Sequence, residues 1–291
     1  MLNGEQEQSL LNAMVAGGLG PRKPGKVFEN LLDGRIKRYE LDNGKRGNVN
    51  GALCVYGNAG KPAAWFWSWA DSVKQAWTSF DAKLMSETER AALRAHQETV
   101  NKKREAEQKR VWAEGAAKAE KLWNLAKPAA AGSSGKGADA HPYLIAKGVK
   151  PFGVRVLGDS LVLAARDATG RITNLQFINA QGEKRFLTGG KKIGSYYAIG
   201  KPGAVLLICE GFATGASLFE ATGYAVAVAF DSGNLLAVGR AIRAKFPEAR
   251  IVVCGDNDQA TQGNPGRKKA EGAAVAIGGT AVVPCFEAVT S

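Results

Sequence analysis

An α/β fold, a parallel sheet with flanking helices, is what the sequence predicts for residues 203–291. Three observations point to it. Short aliphatic and β-branched runs, Ala204 to Cys209, Ala225 to Phe230, Ile251 to Cys254 and Ala281 to Cys285, show no polar alternation, as strands buried on both faces require. Helix-compatible segments, Thr214 to Ala221, Leu235 to Phe246 and Arg267 to Ile277, lie between them. Two of the runs stop at acids, the first at Glu210-Gly211 and the second at Asp256-Asn257-Asp258. Ligands of such sheets sit beyond the carboxyl ends of the strands, so if these two strands are neighbours, Glu210, Asp256 and Asp258 converge. Residues i and i+2 of an extended stretch point the same way, which lets Asp256 and Asp258 address one ion while Glu210 approaches from the adjacent strand. Hard carboxylate oxygens of this kind suit magnesium or manganese. Acids that merely end strands in solvent would explain one of the three easily, but three poorly.

The upstream elements follow in chain order. Residues 1–80 read as a small β-rich module, because Asp33-Gly34, Asp42-Asn43-Gly44 and Gly57 to Gly60 are turn signals around the strand-like Ala52 to Tyr56. Trp65-Phe66-Trp67-Ser68-Trp69 places three tryptophans on one side of a strand; a compact aromatic core is the favoured explanation, and a base-stacking platform beside Arg35, Lys37, Arg38, Lys45 and Arg46 is the rival. Residues 81–127 form a long helical spacer opened by the capping box Ser86-Glu87-Thr88-Glu89; its apolar positions are too sparse for a coiled-coil seam, so only its carboxyl-terminal end is expected to dock. Residues 128–140, rich in Ala, Gly and Ser, read as a flexible linker. Gly135-Lys136-Gly137 inside it lacks the remaining positions of a phosphate loop, so no fused ATP-driven helicase is expected. Residues 141–202 form a basic lobe ahead of the α/β domain.

The balance of charge narrows the partners. The 291 residues carry 39 Lys and Arg against 27 Asp and Glu, a net +12, and the stretch from His141 onward, with 17 basic and 11 acidic residues, holds half of that excess. A basic surplus spread over both halves favours a polyanionic partner such as nucleic acid over a local basic tail. Four cysteines, Cys54, Cys209, Cys254 and Cys285, show no Cys-x-x-Cys spacing, and only His96 and His141 could supplement them. They read as buried thiols of a reducing compartment rather than as a zinc site. With neither a signal peptide nor a run approaching the ~20 apolar residues of a membrane span, a soluble cytoplasmic protein is expected.

Glu210-Gly211-Phe212-Ala213-Thr214-Gly215, the strand ending in Ala229-Phe230-Asp231, and Asp256-Asn257-Asp258 together resemble the toprim domain. The nearest likeness is to toprim-domain DNA primases of plasmids, phages and satellite elements, related to the DnaG catalytic core, in which a Glu-Gly-Tyr/Phe-Ala-Thr motif stands where the housekeeping enzyme has Glu-Gly-Tyr-Met-Asp. His141-Pro142-Tyr143-Leu144, Lys147-Gly148-Val149 and the segment from Gln176-Phe177-Ile178 to Lys191 resemble the α+β amino-terminal lobe of that core. The likeness runs from His141 to about Phe286, and more weakly over Gly18 to Trp77.

The resemblance implies nucleotidyl transfer: short RNA primers built from ribonucleoside triphosphates on a single-stranded DNA template, with Glu210, Asp256 and Asp258 as metal-binding and catalytic acids and Mg2+ or Mn2+ as cofactor. Glu210 would also help to deprotonate the attacking hydroxyl. Asn264, Arg267, Lys268 and Lys269, at a predicted helix start, are the expected triphosphate site, and a solvated basic turn is the alternative. Asp231 reads equally as part of that site or as a turn and helix cap. Lys184, Arg185, Lys191 and Lys192 would face template phosphate. Thr214 stands where housekeeping primases carry a further aspartate, which reduces the expected ligands by one. Two rivals share the fold: a toprim nuclease using the same acids, and a non-catalytic single-strand-binding replication accessory protein. A separate replicative helicase is the implied partner.

Overall fold

The computed structural model describes residues 2–29, 31, 33–57, 60–70, 73–81, 85–128, 141–257 and 264–284. They divide into two compact units, residues 1–106 and 107–291.

In the first unit, helices α1 (Gly4–Ala16) and α2 (Pro24–Phe28) precede an antiparallel meander of β1 (Asp33–Tyr39), β2 (Gly51–Tyr56), β3 (Ala63–Ser68) and β4 (Lys74–Thr78). The sequence reading contained no helix here. An Asn3/Gln6 capping box starts α1, each side chain accepting from the other residue's backbone N–H, and α1 buries Leu10 and Met14. They meet Leu53, Val55, Phe66 and Trp77 from one face of the sheet. Phe66 therefore fills the core, while Trp65 and Trp69 remain 45% and 58% exposed. The expectation that Trp65, Trp67 and Trp69 form the aromatic core is thus corrected. Strand alternation turns Ala64 and Phe66 inward and the intervening tryptophans outward, and α1 supplies the apolar surface they were expected to provide.

Helix α3 runs from Glu87 to Leu125, its start fixed by Ser86 Oγ accepting from the Glu89 N–H and by the Glu89 carboxylate accepting from the Ser86 N–H. The boundary between the units falls within it.

The second unit carries two sheets. The basic lobe is an antiparallel meander of β5 (Lys127–Pro128), β6 (Arg155–Leu157), β7 (Ser160–Arg166), β8 (Ile172–Ile178) and β9 (Lys184–Phe186). Alternation along β7 divides its contacts. Val162 and Ala164 pack with Ala119 and Ala126 at the end of α3, and Leu161, Leu163 and Ala165 pack toward the other sheet. α4 (Pro142–Lys147) starts at His141, whose Nδ1 accepts from the Tyr143 N–H while Nε2 faces the Asp159 carbonyl at 3.1 Å. A neutral ring that accepts at Nδ1 carries its proton on Nε2, which matches that partner.

The other sheet has the order β10 (Tyr197–Ile199), β12 (Ala225–Val228), β11 (Val205–Cys209), β13 (Arg250–Cys254), β14 (Thr280–Val282). β10 is antiparallel to its neighbour and the rest are parallel. This sheet therefore takes its edge strand from the residues assigned to the lobe. α5 (Phe212–Thr222) packs on one face with Leu207, Cys209, Val226 and Val228, while α6 (Leu235–Lys245) and α7 (Pro265–Ala276) pack on the other with Leu206, Ile208 and Ile251. β11 thus connects onward over one face and its neighbour β13 over the other. Their shared carboxyl end is a topological switch point, the place where open α/β sheets bind ligands.

Close approach fixes one glycine of α3. A Cβ on Gly115 would lie 2.4 Å from the Gly189 carbonyl oxygen, so α3 docks on the 187–190 turn only without a side chain there. Gly115→Ala should therefore lower the thermal midpoint by several degrees, although alanine is the better helix former by about 1 kcal/mol. Gly272→Ala in α7, where a Cβ meets nothing within 4 Å, should raise it. Paired thermal melts check both signs.

Candidate active site

Cys209 and Cys254 are register partners of adjacent parallel strands, so the residues that follow them leave the sheet side by side. After β11 the chain passes Glu210 and enters α5 at the N-cap Gly211; Glu210 is half-buried, and its Oε1 is withdrawn from solvent. After β13 it passes Gly255, where a Cβ would lie 2.5 Å from that of Ala270, and reaches Asp256. Glycine at 255 is what lets α7 pack beneath the acid-bearing turn. Burial pushes the Cys209 thiol well up, and the charges of Cys254, Asp256 and Glu210 add to the shift. The two carboxylates therefore bear on one thiol from neighbouring strand ends. Asp258, the third predicted acid, lies outside the described residues, and among the described residues no group of three metal-ligating side chains assembles. The donors are hard oxygens, one of them buried, on the ends of adjacent rigid strands. That set fits a divalent cation of the magnesium type.

The predicted triphosphate residues surround the same edge with uneven freedom. Asn264, in a left-handed conformation (φ 43°), caps α7 by accepting from the Arg267 N–H and donates from Nδ2 to Asn257 Oδ1 at 2.7 Å. Asn257 in turn donates to the Pro284 carbonyl at 2.7 Å, which ties the turn after Asp256 to α7 and to the chain beyond β14. Arg267 is paired with Glu271 at 2.8 Å, Lys268 is exposed, and Lys269 Nζ donates to Ser232 Oγ at 3.2 Å.

Asp231 does not cap with its side chain; it forms an ion pair with Lys192. Asp231 does hold the N-cap position of the Ser232–Asn234 turn, its carbonyl accepting from the Asn234 N–H, but the carboxylate makes no cap bond and goes to Lys192 instead. Of the four lysines and arginines expected on template, Lys192 is thus committed to Asp231. Lys191 turns to the Trp112 ring (5.2 Å) in a groove of about 760 Å³ beside α3, and Arg185 lies 5.7 Å from the Phe177 ring. Lys184 is different. Its Nζ lies 3.8 Å from the position a Cβ would take on Gly211, beside the strand end that carries Glu210.

Asn234, at the end of the turn that follows Asp231, joins the lobe to this edge. Fully buried, it donates from Nδ2 to the carbonyls of Ser195 (3.0 Å), Ala229 (2.9 Å) and Lys192 (3.3 Å) and accepts from the Gly194 N–H (2.8 Å). Phe230 beside it takes a left-handed backbone (φ 75°), unusual for a bulky residue, and packs edge-on to Phe186 with ring centres 5.3 Å apart. No sequence signal separates this asparagine from an ordinary turn residue, since the partners that tie it to the lobe are backbone atoms about 40 residues away.

Residues 205–284, which hold β11 to β14 and Glu210 and Asp256 at their edge, match the toprim domain family. The chain as a whole is similar to two curated relatives named DNA primase TraC, both from Escherichia coli. It is 33% identical to the first over 295 residues, covering 96% of this chain and 19% of the relative, and 33% identical to the second over 276 residues, covering 88% and 24%. It therefore spans about a fifth to a quarter of those relatives' length. The primase fragment of the bacteriophage T7 primase-helicase protein aligns over 49% of this chain and 64% of its own, at 17% identity and a TM-score of 0.38, too loosely to bear on the site.

Replacing Asn234 tests its role as a tie. Asn234→Ala leaves the Ser195 and Ala229 carbonyls and the Gly194 N–H to find new partners, while the Lys192 carbonyl keeps the Ser195 N–H, and should cost about 2–4 kcal/mol. Asn234→Asp, which turns an oxygen toward the same carbonyls, should cost more. Urea unfolding of the three proteins gives the order.

Proposed function

We propose that this chain carries the catalytic core of a DNA primase, joining ribonucleotides into short RNA primers on single-stranded DNA for the replication of a mobile element. The observation that carries the reading is the placement of Glu210 and Asp256 on the carboxyl ends of adjacent parallel strands at the switch point of a toprim sheet. The similarity to relatives named as primases over nearly the whole chain supports it.

Glu210 and Asp256, with Asp258, would hold Mg2+ or Mn2+; toprim domains in general bind such ions. The bound cation supplies charge stabilisation for oxygens around the transferring phosphorus. The chain's own residues do the rest. Lys184, at the Gly211 strand end, and the amino end of α7 with Lys268 bind and orient the triphosphate, and Glu210 accepts the proton of the attacking hydroxyl. The new bond joins that oxygen to the α-phosphorus, and pyrophosphate leaves. Asp231 and Lys192 act as a strut that sets the lobe against the edge. The working partners are single-stranded template, ribonucleoside triphosphates and a separate replicative helicase, in the cytoplasm. Among the described residues no helix is long and apolar enough to cross a membrane.

Purified protein with labelled ribonucleotides, mixed single-stranded templates and magnesium or manganese should yield short RNA oligomers. Asp256→Ala should abolish them, by at least about 100-fold as for removal of a charge-stabilising group, at an unchanged melting temperature. Magnesium-dependent degradation of single-stranded DNA that Glu210→Gln removes, with no primer on any template, would replace this reading with a toprim nuclease.

A further inference from the structure

We infer that the outer face of the β1–β4 sheet is a binding surface for single-stranded DNA, with bases stacking on Trp65 and Trp69. The inference concerns the first unit alone and does not depend on catalysis at the toprim edge.

This face is the one turned away from α1 and the Leu10/Phe66 core. Register places three cross-strand rows on it: Arg38, Ala52, Trp67 and Lys74, then Ile36, Cys54, Trp65 and Ala76, then Asp33, Tyr56, Ala63 and Thr78, where Arg104 lies over the Tyr56 ring. The small residues of β2 and β4 leave the indoles standing proud. Trp65 is 45% and Trp69 58% exposed, and Trp67 braces Trp69 edge-on with ring centres 5.7 Å apart. Exposing large aromatic surfaces in water is unfavourable, and adjacent ones on a single face mark a contact surface. The charge of the rows says what it contacts. In the two rows that carry Trp65 and Trp67 the formally charged side chains, Arg38 and Lys74, are both cationic, and Lys74 Nζ lies 4.6 Å from the Trp65 ring centre. Flat aromatic surfaces interleaved with cations match a strand of stacked bases whose phosphates meet the lysine and arginine. An apolar protein partner would leave those cations desolvated and unmatched.

Spacing distinguishes a strand from a nucleotide. Trp65 on β3 and Trp69, in the turn just past its end, are four residues apart with Trp67 between them, a span of up to about 13 Å at the rise of a strand and wider than one base stacked on Trp65 covers. Successive bases of one strand can reach them.

The test uses the full chain and compares fluorescence-anisotropy titrations with oligo(dT) and with an abasic phosphodiester of equal length. Wild type should bind oligo(dT) at least about 10-fold more tightly, because stacking adds to the charge attraction that both probes share. Trp65→Ala/Trp69→Ala should erase the difference while leaving abasic binding unchanged, and Trp69→Phe should restore part of it. Thermal melts exclude unfolding as the cause, since both indoles lie on the solvent side. Equal affinity for the two probes, or a double variant that still prefers oligo(dT), would overturn the inference. So would self-association of wild type that Trp69→Ala abolishes, which would make the face an interface between copies. Asp256→Ala should leave the preference intact: primers without a base preference would reject this inference and keep the primase reading, and a base preference without primers the reverse.

Discussion

The in-register pairing of β11 with β13 is the constraint on which the candidate site depends. Parallel strands buried on both faces tolerate only apolar side chains, so Leu206 to Cys209 and Ile251 to Val253 fix each other's position through a continuous ladder and two packed cores. A slip of one residue would reverse every side chain and place the Leu207/Cys209 set against α6 and α7. With the slip excluded, the chain leaves the two strands side by side, and Glu210 follows β11 by one residue and Asp256 follows β13 by two. That placement costs the chain little at the site itself, because the sheet enforces it from beneath. Gly255 and Gly215 serve the same end. A Cβ at either would strike a neighbouring side chain, Ala270 at 2.5 Å or Val228 at 2.7 Å, and lift α7 or α5 off the sheet whose edge carries the acids.

A rigid edge is insufficient for chemistry that must also hold a polyanion, and the lobe brings the cations. Its sheet shares a core with the toprim sheet through Leu161, Leu163 and Ile178 against Cys209, Phe212 and Val228. Apolar packing of that kind is tolerant of sliding. The directional restraints come from the polar layer above it: the Asn234 amide bonded to the lobe's 192–195 segment, the Lys192–Asp231 pair, and the Phe186–Phe230 edge contact. Asn234 also binds the carbonyl of Ala229, immediately before the left-handed Phe230, and so offsets the strain of a turn that sends Asp231 toward the lobe. The lobe's basic residues consequently divide into those that position it, such as Lys192, and those that face the acid edge, such as Lys184.

What could be read from the sequence follows the range of the interactions involved. The strands and helices of residues 203–291 were legible because burial on both faces writes itself as unbroken apolar runs, and the acids stand out as the residues that end them. The capping box of α3 was legible for a similar reason, since its partners are three residues apart. Asn234, the Lys192–Asp231 pair and the capture of Tyr197–Ile199 by the toprim sheet rest on partners about 30 to 40 residues distant, which no local pattern encodes. The division of Lys184, Arg185, Lys191 and Lys192 among different contacts was hidden likewise: a run of cations has one sequence appearance whatever each ammonium meets.

The tryptophans of β3 and the turn after it show the opposite failure, in which a correct local pattern points in the wrong direction. Period-two alternation says that Trp65, Trp67 and Trp69 share a side; it cannot say which side is the core. The largest apolar side chains were assigned inward because small domains need buried area. α1, unpredicted from its polar-looking sequence, supplies that area through Leu10 and Met14 and lets Phe66 take the inner position. Once the core is filled without them, the indoles have no structural duty that alanine or threonine would not meet more cheaply on a solvated strand. Their presence beside Lys74 and Arg38 is then an argument about what binds the face, and in a chain whose basic excess is shared by both halves, a single strand of nucleic acid answers to the aromatic and the cationic members together.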